Sequence, residues 1–257
     1  MDVYWLEQAE SDVPVEDHWL NASEAARLNA MHIAKRRADW RLGRWAAKRA
    51  VAAYLDAPCH LQALANIEIR PAPSGAPEVF ILDTPAPSAI SLSHRDGTAL
   101  CAVAPSGTVL GCDLELIEPR SDAFVSDYFT AEEQALVERM SSEDRPRLLA
   151  LLWSAKESAL KAMGEGLRLD TRSVAVSVVD GLQSRGGSGE GFVEDPASSF
   201  QQGCATTWRP LRVRYIEGQN FCGWWQQAGN LLRTLVAIPP PLPPIPLDVE
   251  TATLTST

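Results

Sequence analysis

The chain has 257 residues, 46% of them hydrophobic and 22% charged, which is enough for one large domain or two smaller ones with a proper core. A formal charge of −10 argues against nonspecific nucleic-acid binding, and any phosphate site must gather its positive charge locally. The amino terminus, Met1-Asp2-Val3-Tyr4-Trp5-Leu6-Glu7, lacks a basic n-region before an apolar core, and no segment is long enough to span a bilayer. A cytoplasmic protein without a membrane partner is therefore expected.

The five cysteines, at 59, 101, 112, 204 and 222, have neither CxxC spacing nor a convincing even framework. They read as small core residues in a reducing compartment rather than as a zinc site or a disulfide scaffold.

Residues 3 to 6 read as a short strand, followed by a loop containing Pro14. Asn21 with Glu24 three positions on has the form of a helix start. The helical pattern then runs to about Leu55, with a break near Arg37 to Asp39. In its second part Arg37, Arg41, Arg44 and Lys48 recur at spacings of four, three and four. Such a stripe, on a helix otherwise rich in Ala, Leu and Trp, faces either an anion or water. Prolines are frequent from Pro58 to Pro87; Asn66 to Arg70 alternates like a strand, and Gly75-Ala76-Pro77 turns into the strand Val79 to Leu82. Ser91-Leu92-Ser93-His94 ends a strand, and Asp96-Gly97 turns the chain into another, Ala99 to Ala104.

The segment Leu110 to Leu116 is a strand in which alternation puts Asp113 and Glu115 on one face and Cys112, Leu114 and Leu116 on the other. Pro119 to Phe129 reads as irregular. Thr130 and Glu133 form a capping box that opens the helix Ala131 to Met140. The turn-rich Ser141 to Pro146 leads into a further helix, which ends at Gly164 or Gly166.

On that helix Leu149, Leu152, Trp153, Leu160 and Met163 share one stripe, with Lys156 in its middle. A desolvated ammonium there is costly unless an anion meets it. Glu157 and Lys161, one turn apart, flank the stripe. Each feature has an ordinary reading: the wet face of an edge strand, an i,i+4 surface pair, a snorkelling lysine. Together, three acids and two lysines have the composition that holds a divalent cation and a polyphosphate at once.

Ser173 to Val179 comes next as an alternating strand, and Ser184 to Gly191 as a flexible loop. Arg212 to Ile216 and Phe221 to Trp225 form a hairpin around Glu217-Gly218, and Leu231 to Ile238 is a last strand. Pro239 to Pro246 has six prolines in eight residues, which favours polyproline II without packing.

The pair Gly111-Cys112-Asp113-Leu114-Glu115 and Trp153-Ser154-Ala155-Lys156-Glu157-Ser158-Ala159-Leu160-Lys161 resembles the signature of the 4'-phosphopantetheinyl transferases. The likeness runs over roughly residues 20 to 180, and the length is similar to that of the larger, single-chain (surfactin-type) members. It implies an α+β fold of two pseudo-symmetric lobes, each a small antiparallel sheet packed with helices, with the cofactor cleft between them. The lobes are expected at residues 1–107 and 108–238, followed by an extended or disordered proline-rich tail at 239–257.

The resemblance further implies transfer of 4'-phosphopantetheine from coenzyme A to a serine of an apo acyl or peptidyl carrier protein, releasing 3',5'-ADP. Asp113, Glu115 and Glu157 would hold Mg²⁺, while Glu157 and Lys161 would be catalytic. Arg36, Arg44, Ser93, His94, Asp113, Lys156 and Lys161 would contact coenzyme A. Gly43-Arg44 matches the family's Gly-Arg helix, Arg36 its upstream cation, and Ser93-His94 its Ser-His, in which the histidine contacts the 3'-phosphate. Ala76 stands where many relatives carry a lysine, so Arg36 or Arg70 would have to substitute. Carrier docking is expected at Phe124 to Phe129. A monomer is expected, with no nucleic-acid partner. A Mg²⁺-dependent pyrophosphate or phosphodiester hydrolase using the same acids, and a silent coenzyme A-binding module, are the alternatives.

Overall fold

A computed structural model describes residues 1–178 and 207–249. The expected loop at Ser184 to Gly191, and Cys204, lie outside the described residues. The other four cysteines are free thiols, with Cys101 and Cys112 buried. No helix among the described residues is long and apolar enough to cross a membrane.

The fold is mixed α+β. Strand β1 (Tyr4–Ala9) leads to helices α1 (Ala22–Asn29), α2 (Ala34–Tyr54) and the single turn α3 (Leu61–Leu64). A small sheet of β2 (Ile67–Pro71), β3 (Pro77–Ile81) and β4 (Thr84–Pro85) follows, and then the hairpin β5 (Ser88–Arg95) and β6 (Thr98–Pro105). The second half opens with β7 (Val109–Leu116), continues through α4 (Asp122–Tyr128), α5 (Ala131–Arg139) and α6 (Arg145–Ala162), and reaches β8 (Val174–Val178). Strands β9 (Arg209–Tyr215), β10 (Asn220–Ala228), β11 (Leu231–Ile238) and β12 (Ile245–Pro246) complete it.

Two main sheets result, in the orders β12-β1-β6-β5 and β7-β11-β10-β9-β8. They repeat one plan. In each, the first strand pairs antiparallel with the last strand of a terminal hairpin, β1 with β6 and β7 with β11. A long helix, α2 or α6, packs on the outer face, and the inner faces meet.

Strand alternation accounts for this layering. Ala99, Cys101 and Val103 of β6 join the core under α2, whereas Leu100, Ala102 and Ala104 join Leu110, Cys112 and Leu114 of β7 and Leu235 and Ala237 of β11 in a shared core between the sheets. Residues buried on both faces explain why β6 is an almost unbroken apolar run. The rest of β11 packs with α5, α6 and β8 to β10 in a third cluster that includes Leu148, Leu152, Leu160 and Phe221.

Three local expectations are corrected. The first helical stretch breaks at residues 30–33 rather than at Arg37 to Asp39, because α1 ends at Asn29 and the Arg37 guanidinium caps it by donating to the carbonyls of Leu28 and Met31. Residues 122–128, read as irregular, form α4, whose N-cap Ser121 Oγ accepts from the Phe124 amide. The proline-rich tail, expected not to pack, adds β12 parallel to β1. Its Leu242, Ile245 and Leu247 amides donate to the carbonyls of Met1, Val3 and Trp5, since proline leaves the intervening residues free to pair at a sheet edge. Leu247 and Val249 then pack against the α2 core.

Candidate active site

The site begins with how closely α6 approaches β7. Gly111 has no side chain to hold the helix off; a Cβ there would lie 1.8 Å from the Ser158 carbonyl oxygen. Ser154 and Ser158 complete a flat contact by sharing hydrogen bonds of 2.8 and 2.7 Å with Thr234 of β11, which stands opposite Asp113. With the helix this near, the Gly111 face of β7, which also carries Asp113 and Glu115, meets the flank of α6 that carries Trp153, Glu157 and Lys161.

A cavity of about 500 Å³ forms there, lined by Asp113, Glu115, Glu157, Lys161, Ser93 and His94 together with Arg95, Arg120, Phe124 and Trp153. Asp113 is 4% exposed. Its Oδ1 accepts from Lys161 Nζ at 2.7 Å and from Ser93 Oγ at 2.8 Å, whereas its buried Oδ2 has no hydrogen-bond partner among the described residues. Such an orphaned carboxylate oxygen is costly unless a cation or donor arrives. Glu115 accepts from Trp153 Nε1 and Arg120 at 3.2 Å each, with Arg95 3.7 Å away.

These carboxylates shape one another's acidity. Burial, then the Asp113 charge, pushes Glu157 up to about 7 against the pull of Lys161. Glu115 is raised for the same two reasons, with Arg95 and Arg120 opposing. Burial works against the Lys161 ammonium, yet Asp113, Cys112 and Glu157 hold its pKa above the ordinary value. Among the described residues no three His, Cys, Asp or Glu side chains form a ready-made cation cage. The donor set nevertheless suits an open site for a hard cation, which takes a few carboxylates and leaves the remaining positions to substrate and water.

A larger cleft of about 890 Å³ adjoins this cavity and shares Leu92, His94 and Lys161 with it. It runs between the two halves of the fold: Asp39, Trp40, Gly43 and Arg44 from α2, Arg70, Pro71 and Ser74 to Phe80 from the small sheet and its turn, Ser88 to Leu92 from β5, and Lys161 to Gly166 from the end of α6 and the turn after it. Arg44 stacks 4.9 Å over Trp40, and its Nε is buried without a hydrogen bond among the described residues, its Glu24 counter-ion being 3.9 Å away. Burial lowers its pKa more than Glu24 restores it, so an incompletely compensated cation lines the wall. Arg70 lines the same cleft beside Ala76, its guanidinium 4.1 Å over Phe80 and paired with Glu68 and Asp83. Burial, with Lys161 and Lys35, outweighs Asp39 and Asp113 and holds the His94 pKa below its usual value.

Thus Asp113, Glu115, Glu157, Lys161, Ser93 and His94 come together, and Arg44 lines the adjoining cleft. Ser93 lines the pocket and donates its hydroxyl proton to Asp113. Two of the expected contacts are absent from both cavities. Arg36 is exposed on the first turn of α2, about 12 Å along the helix axis from Arg44. Lys156 is fully buried and faces the opposite way. Its Nζ lies 2.8 Å from Glu133 and donates to the carbonyls of Thr171 and Val174, so the anion its burial demands is a side chain of the protein.

The basic stripe on α2 dissolves similarly. Arg41 binds Asp17 and the carbonyls of Pro14 and Val15, Lys48 is buried on Glu24, and of the four only Arg44 reaches the cleft. Within the expected docking segment Val125 and Phe129 are buried, whereas Phe124 and Tyr128 pack on Trp153 at 5.1 Å each. Arg95 and Arg120 belong to the site without belonging to any motif in the sequence. Both come soon after motif residues, but their convergence on Glu115 and Glu118 depends on how β5 and β7 meet.

An acidic pocket and an adjoining cleft lined by Arg44 and Arg70 thus meet between the two halves of the fold, an arrangement whose composition suits a phosphorylated ligand. Residues 109–202 match the family described as the 4'-phosphopantetheinyl transferase superfamily (ACPS). It is 28% identical over 177 residues, 67% of this chain and 71% of the relative, to the 4'-phosphopantetheinyl transferase HetI of Nostoc sp.. The crystal structure of Helicobacter pylori holo-[acyl-carrier-protein] synthase in complex with coenzyme A aligns at 16% identity and a TM-score of 0.33, covering 40% of this chain and 99% of that one.

Proposed function

We propose that the protein transfers the 4'-phosphopantetheine arm of coenzyme A to a serine hydroxyl of an apo acyl or peptidyl carrier protein, releasing 3',5'-ADP. The observation that carries this reading is the junction of the two cavities. A pocket with three carboxylates and Lys161 opens into a cleft lined by Arg44, Arg70 and His94, long enough in composition for a nucleotide at one end and a pyrophosphate at the other.

In this reaction the serine oxygen forms a bond to the β-phosphorus, the pyrophosphate P–O bond breaks, and charge gathers on the departing phosphate. Asp113, through its free Oδ2, with Glu115 and Glu157 would hold Mg²⁺, which when bound supplies Lewis-acid neutralisation of that charge. Lys161 stands in both cavities and neutralises the bridging region as a point charge. Glu157 is also placed to accept the serine proton, directly or through a water. Ser93 and Lys161 orient Asp113; Arg44, Arg70 and His94 face the phosphates at the nucleotide end. Arg70 thereby takes over the position left open by Ala76. The carrier approaches over Phe124, Tyr128 and the Arg95–Arg120 rim.

Mass spectrometry of apo-carrier proteins incubated with the protein, coenzyme A and Mg²⁺ tests the proposal. A mass gain of one phosphopantetheine is expected with the wild type and none with Asp113→Asn or Lys161→Ala. An unmodified carrier, or free phosphopantetheine produced from coenzyme A alone, overturns it, the second in favour of a hydrolase.

A further inference from the structure

The two halves of the fold carry the same buried ion pair at the same place. In the second half, Thr130 and Glu133 close a capping box on α5, with the Thr130 amide donating to Glu133 Oε2 at 2.8 Å. The same carboxylate lies 2.8 Å from Lys156 Nζ of α6, and its Oε1 accepts from the Val176 amide of β8 at 2.9 Å. The first half matches this part for part. Asn21 and Glu24 close a capping box on α1, Glu24 Oε2 lies 2.5 Å from Lys48 Nζ of α2, and its Oε1 accepts from the Ile69 amide of β2 at 3.2 Å.

Each lysine also donates to two backbone carbonyls, Thr171 and Val174 for Lys156, Trp19 and Leu64 for Lys48. Each sits against an aromatic ring, Phe129 at 5.6 Å and Trp19 at 5.8 Å. All four charged side chains are at most 4% exposed.

An ammonium has three donors, and here all three are used. Neither lysine has one to offer a ligand. What each pair does fix is the rotation of its helix, by tying one helical position to a capped helix and a strand edge at once. On α6 the next residue is Glu157, and Lys161 comes one turn later. On α2, Arg44 stands one turn before Lys48, and Glu24 is also the nearest carboxylate to Arg44, at 3.9 Å.

We propose that Glu133 with Lys156, and Glu24 with Lys48, are paired positioning residues: the first aims Glu157 and Lys161 at the reacting phosphorus, and the second aims Arg44 at the bound phosphates. The functional part of the assignment rests on the proposed transfer reaction; the positioning of the helices does not.

The test is a double-mutant cycle in each half on the full chain, with Lys156→Met, Glu133→Gln and the double variant, and Lys48→Met, Glu24→Gln and theirs. Breaking one partner strands a buried charge, whereas removing both does not. Lys156→Met is expected to lower kcat by about tenfold or more while KM for coenzyme A moves by less than about threefold, and the double variant to regain most of the loss. In the other half, the single variants are expected to weaken coenzyme A binding by calorimetry and the double to restore it.

Hydrogen exchange of residues 157–162 gives a readout independent of turnover, with protection lost in the single variants and regained in the double. A well-folded double variant as inactive as Lys156→Met overturns the proposal, because Lys156 would then act on the substrate itself. Unchanged α6 protection in the single variants overturns it as well. If a single variant does not fold, the double and its α6 protection still decide. A wild type that fails to modify any carrier counts against the transfer reaction alone, and the exchange data then judge the positioning.

Discussion

Glu157 keeps its proton to about pH 7 in the native protein, whereas an unfolded glutamate loses it near 4.5. Between those values the native state binds more protons than the unfolded chain, so stability falls as pH rises through this window and levels off above it. In metal-free protein, Glu157→Gln should abolish that fall and stabilise the fold near neutrality by on the order of 1 kcal/mol, the half-buried site being partly screened by water. Urea unfolding midpoints of both proteins across the window, in a chelator, check this; parallel curves would show that Glu157 is not held protonated. The same residue shows how burial and a neighbouring carboxylate bring a carboxyl pKa to about 7 without a histidine.

At the scale of elements, the decisive contact is α6 lying directly on β7 and β11 through Gly111, Ser154, Ser158 and Thr234. Gly111→Ala places a methyl group against backbone, which cannot turn aside as a side chain can. It should cost at least about 3 kcal/mol, the upper end of ordinary overpacking, and should lower transfer more than coenzyme A binding because Arg44 lies on the other helix. A denaturant melt together with calorimetric titration of coenzyme A measures both, and a variant of wild-type stability would mean that the helix stands well clear of the strand. Glycine at 111 thus serves close approach rather than a turn.

For the whole molecule, the two halves are joined by more than the cleft. Arg233 of β11, 6% exposed, grips Glu7 of β1 at 2.6 and 2.8 Å and stacks 5.5 Å over Trp5. The tail crosses the same seam, accepting from Trp224 Nε1 at Pro241 before pairing with β1. Ending the chain after Ile238 removes the hydrogen bonds that the Leu242, Ile245 and Leu247 amides donate to the carbonyls of Met1, Val3 and Trp5, each worth about 1 kcal/mol, along with the exposed contact of the Met1 amino group with the Pro240 carbonyl and the packing of Leu247 and Val249. The melting temperature should drop by roughly 6–12 °C, while KM for coenzyme A stays unchanged below the transition because none of the described tail residues lines either cavity. Differential scanning calorimetry and initial rates at low temperature test the two halves of that expectation.

Period and local chemistry were determined by the sequence alone. Alternation put Asp113 and Glu115 on one face of a strand, helical spacing put Glu157 and Lys161 on one flank, and the Asn21–Glu24 and Thr130–Glu133 boxes marked two helix starts. These depend on neighbours within a turn or a pleat, so they are legible residue by residue. Tertiary structure decided where each charge is spent. Lys156 and Lys48 look like phosphate ligands until α5 and α1 bring Glu133 and Glu24 against them, Arg41 is taken by Asp17, and Arg36 turns to solvent while Arg44 turns inward. A lysine's sequence neighbours cannot say which anion meets it, because the partner is 23 or 24 residues away along the chain and is chosen by how the helices pack.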